Sequence, residues 1–180
     1  GYVRFYCNGT VETVTVAESG CTIGAYLYVD YNPALTAFTA DGVTSVGTDF
    51  YFQGNAALGS ISLSGLASIG GYFTVYENAM LTAFNMPTLA TIGSYFHLYD
   101  NGDGVVSGTP AYELVGLTSI GDYVYIESNG TVDSLVLGAS GKACTIGETG
   151  PNKYLHIYNN PKLESVTADG LVSVAADVGV

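Results

Sequence analysis

Residues 70–81 read GGYFTVYENAML and carry a pattern that recurs along the chain. The consensus is Gly-x-Tyr-Φ-x-Φ-x-x-Asn-x-x-Leu-x-x-Φ, where Φ is apolar. One asparagine marks each copy, and successive markers are 24, 23, 23, 23, 28 and 31 residues apart, with insertions at residues 102–112 and 138–152. Self-similarity at a period of this length is the signature of a repeat architecture. The seven markers are Asn8, Asn32, Asn55, Asn78, Asn101, Asn129 and Asn160.

The alternation inside each copy predicts β-strands and not helices. In residues 72–76, Phe73 and Val75 lie on one side of an extended chain and the tyrosines lie on the other. A unit this small cannot bury its apolar side alone, but identical units stacked in parallel about 4.8 Å apart can. Parallel crossovers are generally right-handed. The sequence therefore predicts an all-β fold, a right-handed parallel β-solenoid (β-helix) of about seven 23-residue rungs.

Two positions of the repeat predict the corners of each rung. The marker asparagine follows the first strand, where its amide can bond the corner backbone and the asparagine of the next rung. We therefore expect the seven asparagines to form a structural ladder. A repeated glycine precedes the first strand, at a corner where either a positive φ or close packing excludes a Cβ. These glycines are Gly24, Gly47, Gly70, Gly93 and Gly121.

The outward positions of the first strand are rich in tyrosine. They hold thirteen of the fifteen tyrosines and none of the seven phenylalanines. A phenol that reaches water suits an outer surface, and flat aromatic rings suit the binding of sugars and proteins. This favours a binding face; the alternative is that the rings only stack on each other and stabilise the strands. The candidate binding residues are Tyr26, Tyr28, Tyr51, Tyr72, Tyr76, Tyr95, His97, Tyr99, Tyr123, Tyr125, Tyr154, His156 and Tyr158.

The composition restricts the partners. Sixteen Asp and Glu against four Lys and Arg give a net charge of −12, which repels nucleic-acid phosphates and anionic lipids. Charged residues make up 11% of the chain and apolar residues 48%, which argues against disorder. No uninterrupted apolar run reaches the roughly 20 residues of a membrane span. We therefore expect no nucleic-acid partner and no membrane insertion within this chain.

The three cysteines cannot all pair with each other. Cys21 and Cys144 lie five rungs apart, about 24 Å along the stack, which forbids a bridge between them. A Cys7–Cys21 disulfide that fastens the first rung is the pairing that is left, with free thiols as the alternative. Cys144 would then be free or bonded to another chain.

No constellation in the sequence predicts catalysis, a metal site or a cofactor. His97 and His156 share a column but lie two rungs apart, too far to ligate one metal. Residues 100–104, DNGDG, resemble a calcium loop only faintly, because the spacing and the distal glutamate of an EF-hand are missing. Asn8 and Asn129 begin glycosylation sequons, but both also belong to the ladder, where burial would block modification.

The repeat resembles several surface-protein families. Residues 27–35 carry the pattern LxVxxNxxL, which is similar to the core of a leucine-rich repeat. Residues 68–81 are more similar to the receptor L-domain, and residues 158–165, YNNPKLES, resemble the L-domain repeats of fungal GPI-anchored cell-wall proteins. Residues 117–123, LTSIGDY, resemble bacterial surface repeats of the BspA type. The resemblance implies a right-handed β-solenoid that is exposed outside the cell and acts by contact.

The organisation and the function follow from the repeat and the resemblance. We expect residues 1–180 to form a single solenoid array, either an excerpt of a longer chain or a unit that associates head to tail into a filament. The expected function is a non-catalytic extracellular structural or adhesive role in a cell wall, surface coat or appendage. One alternative is a carbohydrate-binding module that uses the tyrosine ladder, and a second is a β-helical polysaccharide-degrading enzyme. The expected partner is a polysaccharide or a surface protein.

Overall fold

The computed structural model describes residues 1–16, 19–102, 111–138 and 141–179. These residues form short β-strands joined by turns. Within these ranges there is no helix, and therefore none of the length and apolarity needed to cross a membrane. The strands are β1 (Val3–Tyr6), β2 (Thr13–Thr15), β3 (Cys21–Ile23), β4 (Leu27–Asp30), β5 (Ala37–Thr39), β6 (Val43–Val46), β7 (Phe50–Gln53), β8 (Ser60–Ser62), β9 (Ser68–Ile69), β10 (Phe73–Tyr76), β11 (Ala83–Asn85), β12 (Thr91–Ile92), β13 (Phe96–Tyr99), β14 (Ala111–Leu114), β15 (Ser119–Ile120), β16 (Val124–Glu127), β17 (Ser134–Leu137), β18 (Cys144–Ile146), β19 (Tyr154–Tyr158), β20 (Ser165–Thr167), β21 (Leu171–Val174) and β22 (Asp177–Gly179).

Three parallel sheets form the solenoid, and each rung gives one strand to each sheet. The first sheet has the order β1-β4-β7-β10-β13-β16-β19-β22, the second β2-β5-β8-β11-β14-β17-β20, and the third β3-β6-β9-β12-β15-β18-β21. We number the rungs by their marker asparagine, so that the first rung contains Asn8. The register follows the repeat, because Phe73 pairs with Phe50 on one side and with Phe96 on the other. The prediction of an all-β parallel solenoid of about seven rungs is confirmed.

The inward side chains of the three sheets meet in one apolar core. Phe50, Phe73 and Phe96 of the first sheet are fully buried, and successive ring centroids are 4.8 and 4.9 Å apart. Phe84 of the second sheet packs against the edge of Phe73. Burying a side chain of this size contributes about 1.5–3 kcal/mol before entropy is counted. Because each rung covers the apolar side of the next, the stack needs no second layer.

The marker asparagines form a continuous hydrogen-bonded ladder at the corner after the first sheet. Asn78 is fully buried, and its Oδ1 accepts hydrogen bonds from the backbone N–H and the Nδ2–H of Asn55, both at 3.1 Å. Its own Nδ2 donates to Asn101 Oδ1 at 3.1 Å and to two backbone carbonyls at 3.2 and 2.9 Å. The amide-to-amide contact links every consecutive pair from Asn8 to Asn160. The ladder thereby satisfies backbone groups that the corner would leave buried without partners.

The residue before each marker asparagine has a left-handed backbone conformation, with φ between 51° and 63°. Only Gly54 is a glycine, although this conformation costs other residues about 1 kcal/mol or more. The hydrogen bonds of the adjoining asparagine offset that cost. Because every rung uses a different residue type here, the repeat pattern did not predict this feature. The seven residues are Cys7, Tyr31, Gly54, Glu77, Asp100, Ser128 and Asn159.

The repeated glycines lie at the corner before the first sheet, where neighbouring rungs pack closely. The φ angles of Gly47, Gly70 and Gly93 lie outside the left-handed region. A Cβ on Gly70 would collide with the carbonyl oxygen of Gly47, and a Cβ on Gly93 would collide with that of Gly70. Of the two reasons considered for glycine at this corner, close packing is therefore the correct one.

The first predicted insertion is shorter than expected. Tyr112 lies on β14 and pairs with Phe84 of β11, and the two rings stack with their centroids 4.6 Å apart. Tyr112 is fully buried, so it occupies the core position that Phe38, Ile61, Phe84 and Leu135 fill in other rungs. The prediction that the insertion extends to residue 112 is therefore wrong. Residues 103–110, which include the end of the faint calcium-loop pattern at residues 100–104, lie outside the described residues.

The second predicted insertion contains a strand of the repeat. Cys144–Ile146 form β18, which pairs in register with β15 of the preceding rung. Extra residues therefore lie on both sides of this strand within the predicted insertion at 138–152, and residues 139–140 are outside the described part of the chain.

Candidate functional site

The outward side chains of the first sheet form three columns, which together we call the tyrosine face. The parallel register aligns equivalent residues of successive rungs, and all the predicted binding residues lie on this face. The left column is Tyr2, Tyr26, Asp49, Tyr72, Tyr95, Tyr123 and Tyr154; the middle column is Arg4, Tyr28, Tyr51, Thr74, His97, Tyr125 and His156; the right column is Tyr6, Asp30, Gln53, Tyr76, Tyr99, Glu127 and Tyr158.

The rings of the outer columns stack from rung to rung. In the left column, Tyr72 and Tyr95 are 5.1 Å apart and 5° from parallel, and Tyr95 and Tyr123 are 5.0 Å apart and 16° from parallel. In the right column, Tyr76 and Tyr99 are 4.5 Å apart and 11° from parallel. Each ring covers part of its neighbours, so these five tyrosines are half-buried and not fully exposed. The rings therefore stack on each other, as the alternative to a binding face predicts. They also form the outer surface of the sheet.

Thr74 is the one small residue of the middle column, and tyrosines of its own rung and of the two preceding rungs surround it. The Tyr28 hydroxyl lies 2.7 Å from the Tyr72 hydroxyl on one side of Thr74, and the Tyr51 and Tyr76 hydroxyls contact each other on the other side. Thr74 is only 5% exposed, so its Oγ1 is buried beneath these rings. The tyrosine face is therefore a packed layer that closes over a polar atom.

Two phenols of the middle column donate to a side chain in the right column of their own rung. Tyr51 donates to Gln53 Oε1 at 2.9 Å, and Tyr125 donates to Glu127 Oε2 at 2.7 Å. Tyr125 also contacts the hydroxyl of Tyr158 in the next rung. Equivalent positions of two rungs thus hold the same phenol beside an amide in one case and beside a carboxylate in the other.

Burial keeps several rings of the tyrosine face uncharged at neutral pH. Burial lowers the pKa of His97 to about 4, so its imidazole is neutral, and its ring lies 5.0 Å from the ring of Tyr125. Burial raises the pKa of Tyr99 to about 12, and burial likewise raises the pKa of Tyr72 and Tyr76. These rings therefore present aromatic surface with neutral hydrogen-bonding groups.

An ion pair at the start of the tyrosine face was not predicted from the sequence. Arg4 Nη2 lies 2.7 Å from Asp30 Oδ2, and Asp30 is 4% exposed. The guanidinium carbon also lies 4.5 Å from the centre of the Tyr6 ring, within the range of a cation–π contact. The sequence does contain a signal for this ion pair. Arg4 lies in the middle column of the first rung, and Asp30, of opposite charge, lies in the adjacent right column of the second rung.

The predicted Cys7–Cys21 disulfide is not formed, and both thiols are free in the structure. Cys7 is exposed at the corner after β1, whereas Cys21 begins β3 and packs against the apolar core. The two side chains therefore occupy different corners of the first rung, one outside and one inside. Cys144 is free and fully buried, and burial raises the pKa of its thiol to about 11. Its low thiolate fraction makes it a poor nucleophile.

The two sequons belong to the asparagine ladder. Asn129 is fully buried, and its Nδ2 donates to Asn160 Oδ1 at 3.0 Å. Asn8 is half-buried, and its Nδ2 donates to Asn32 Oδ1 at 3.0 Å. Both amide nitrogens that a glycan would need are therefore engaged in structural hydrogen bonds. In the part of the chain that the structure describes, no group of three or more His, Cys, Asp or Glu side chains is placed to hold a metal ion.

Comparison of the chain with protein-family models, curated proteins and solved structures finds no match. The resemblance of the repeat to receptor L-domains and to BspA-type surface repeats therefore stays a prediction from the residues alone.

Proposed function

We propose that this protein is a non-catalytic structural or adhesive repeat protein outside the cell, in a wall, surface coat or appendage, and that its tyrosine face makes the contacts. The observation that supports this is the unbroken packing of aromatic rings along the first sheet from Tyr2 to Tyr154. It follows the left column and crosses to Tyr28 and Tyr51 of the middle column where Asp49 interrupts it. The acidic net charge of −12 and the resemblance to surface repeats support an extracellular setting.

The size of the tyrosine face suits a contact surface. A five-residue strand width and seven rungs give a surface of roughly 17 Å by 34 Å. Its area of about 550 Å² is near the upper limit of what monomers commonly expose without a function. Tyrosine supplies a large contact area at a small entropic cost, because its side chain has only two rotatable bonds. Here that cost is smaller still, since stacking between rungs already orders the rings.

The same packing supports a structural role. Each stacked ring pair adds about 0.5–1.5 kcal/mol beyond its area of burial. The rings therefore hold neighbouring rungs together on the outside of the first sheet, while phenylalanines hold them together on the inside. Aromatic packing on both sides of one sheet suits a solenoid that bears mechanical load along its axis.

A carbohydrate-binding module is the second candidate. It is favoured by the regular stack of Tyr72 and Tyr95, whose rings are 5° from parallel, with Tyr123 continuing the column at 16°. Rings stacked in this way present a regular row of edges and hydroxyls, which offers repeated hydrogen-bonding groups to a linear polysaccharide. A glycan array and sedimentation with insoluble polysaccharides distinguish the candidates, because wild-type protein that binds no glycan but adheres to a protein-coated surface excludes this second function.

The proposed contact face is tested by replacing Tyr72, Tyr95 and Tyr123 together with alanine. We expect adhesion to weaken about 10-fold or more, because three stacking rings are lost. The matched control replaces Ser68, Thr91 and Ser119 with alanine. These residues form an outward column on the third sheet, each one rung before the tyrosine with which it is matched.

Two outcomes would contradict the proposal. One is a folded tyrosine variant that adheres as well as wild type, which would reject this face. The other is release of reducing ends from a polysaccharide by the wild-type protein, which would favour a degrading enzyme. Circular dichroism of both variants establishes that their sheets are intact.

A further inference from the structure

Two sites on the tyrosine face share one geometry and differ in one group. The amide site is Tyr51, Gln53 and Tyr76, and the carboxylate site is Tyr125, Glu127 and Tyr158. In both sites a middle-column tyrosine donates to its own right-column neighbour and contacts the right-column tyrosine of the next rung. The sites belong to the third and fourth rungs and to the sixth and seventh rungs.

The ring geometry of the two sites is nearly identical. The Tyr51 and Tyr76 ring centroids are 5.4 Å apart with the planes at 80°, and those of Tyr125 and Tyr158 are 5.4 Å apart with the planes at 85°. In each pair the hydroxyl oxygens are in contact. The ring carbons next to the hydroxyls are therefore held close together, and these are the carbons at which two phenoxyl radicals combine.

The acceptor beside each phenol distinguishes the sites. Removing an electron from a phenol makes its proton strongly acidic, so oxidation proceeds easily only where a base takes the proton. Glu127 Oε2 accepts the Tyr125 hydrogen bond at 2.7 Å and is such a base. Gln53 Oε1 is an amide oxygen, which does not take a proton at neutral pH. Hydrogen bonds to Tyr158 and Glu127 raise the pKa of Tyr125, so the phenol is protonated before oxidation.

We propose that Tyr125 and Tyr158 form a site of oxidative cross-linking, with Glu127 as the proton acceptor that makes Tyr125 the first phenol of the pair to be oxidised. The inference does not depend on what the tyrosine face binds. The co-reactant is hydrogen peroxide used by a haem peroxidase as a one-electron oxidant.

The reaction balances as follows. Tyr125 gives one electron to the oxidant and its phenolic proton to Glu127, and the half-exposed Tyr158 gives one electron to a second oxidising equivalent and its proton to water. The two radicals join through a carbon–carbon bond between the carbons next to the hydroxyls. Each of these carbons then loses its hydrogen as a proton, and each oxygen regains one. In sum, two tyrosines and one hydrogen peroxide give one dityrosine and two waters.

The product would join two rungs by a covalent bond outside the backbone. Residues 125 and 158 are 33 positions apart in sequence, so the cross-link closes a loop of about that length. Closing such a loop restricts the unfolded chain and stabilises the folded one, as a disulfide does. Oxidation would thus turn the carboxylate site into a covalent cross-link between two rungs, in a protein whose cysteines form no disulfide among themselves.

The experiment treats the full chain with peroxidase and hydrogen peroxide at a protein concentration low enough to keep it monomeric. Dityrosine peptides are then identified and quantified over time by mass spectrometry. We expect the Tyr125–Tyr158 link to form about tenfold faster than the Tyr51–Tyr76 link or more, because a positioned base typically contributes about 10²–10⁴-fold to a proton transfer.

Reciprocal variants separate the role of the base from the exposure of the rings. Glu127→Gln turns the carboxylate site into a copy of the amide site, and should slow the Tyr125–Tyr158 link to the rate of the Tyr51–Tyr76 link. Gln53→Glu, made with Glu77→Gln because Gln53 donates to Glu77 Oε2 at 3.0 Å, should accelerate the Tyr51–Tyr76 link. Tyr125→Phe should abolish the link at its own site alone.

Three results would overturn the inference. Equal rates at the two sites of the wild-type protein would show that the base is irrelevant. An unchanged rate of Tyr125–Tyr158 cross-linking in folded Glu127→Gln would also show that the base is irrelevant. Dityrosine found only at other tyrosines, such as the exposed Tyr2, would show that solvent exposure of a ring, and not contact between two hydroxyls, determines which tyrosines are cross-linked.

Discussion

The two corners that border the tyrosine face hold successive rungs together in different ways. At the corner after the first sheet, Asn78 joins its neighbours through side-chain hydrogen bonds and is fully buried. At the corner before it, Gly70 has no side chain, and its N–H donates to the carbonyl of Val46 in the preceding rung at 2.9 Å. The first corner requires a particular chemical group, whereas the second requires empty space. Substitutions at the two corners should therefore destabilise the fold for different reasons.

Asn78→Ala is expected to have the largest effect on stability. It removes the acceptor of the Asn55 N–H groups and the donor to Asn101, and so leaves several buried polar groups unpaired. Each such group costs about 1–3 kcal/mol, so the free energy of unfolding should fall by about 3–5 kcal/mol in total. Denaturant unfolding followed by circular dichroism measures the change.

Asn85→Ala is the control for the asparagine corner. Asn85 lies on β11 in the same rung as Asn78 but is exposed, so its loss should change the free energy of unfolding by no more than about 0.5 kcal/mol. Similar losses in the two variants would mean that the ladder does not hold the corner.

Gly70→Ala should have the next largest effect. The new Cβ would meet the backbone of Gly47, which cannot move aside without displacing a neighbouring rung. Overpacking of this kind costs about 1–3 kcal/mol. Gly59→Ala is the matched control, because a Cβ there would lie 3.7 Å from its nearest neighbour, the Thr36 carbonyl oxygen. Equal unfolding midpoints for the two alanine variants would refute the close-packing explanation.

A smaller effect is expected from His97, which lies between the two corners. Burial lowers the pKa of His97 from its ordinary value of 6.5 to about 4, so the folded state holds the imidazole neutral. The unfolded state takes up a proton first as the pH falls, so the stabilisation from neutral His97 is complete above pH 6.5 and is lost between pH 6.5 and pH 4.

His97→Tyr isolates this pH dependence, since Tyr125 is the middle-column residue of the next rung. Wild type should lose about 1 kcal/mol more than the variant over that pH range, because solvent around the half-buried ring weakens the effect. Parallel stability curves for the two proteins would show that His97 contributes nothing to the pH dependence.

Much of the fold was predictable because it depends on local pattern. The alternation around Phe73 and Val75 shows which side of a strand is apolar, and the spacing from Asn55 to Asn78 to Asn101 sets the rung length. Parallel stacking then follows, since only identical neighbours cover each rung. The same alternation placed the tyrosines of the candidate site on one face.

Other features were not predictable, because they depend on the path of the chain at corners. The Cys7–Cys21 bridge looked reasonable from a separation of 14 positions within one rung, yet the two residues occupy different corners. Tyr112 was assigned to an insertion because the spacing to the next asparagine was irregular, but its ring completes the core.

The repeat pattern alone established the rung, its apolar side and its aromatic side, because the direction of a side chain from an extended strand depends only on the residues next to it. Contacts between rungs settled the rest, since they bring together residues 20 to 30 or more positions apart. They settled that Thr74 lies beneath a closed layer of rings and that Asp30 is paired with Arg4. They also settled that the hydroxyls of Tyr125 and Tyr158, which belong to successive rungs, lie in contact.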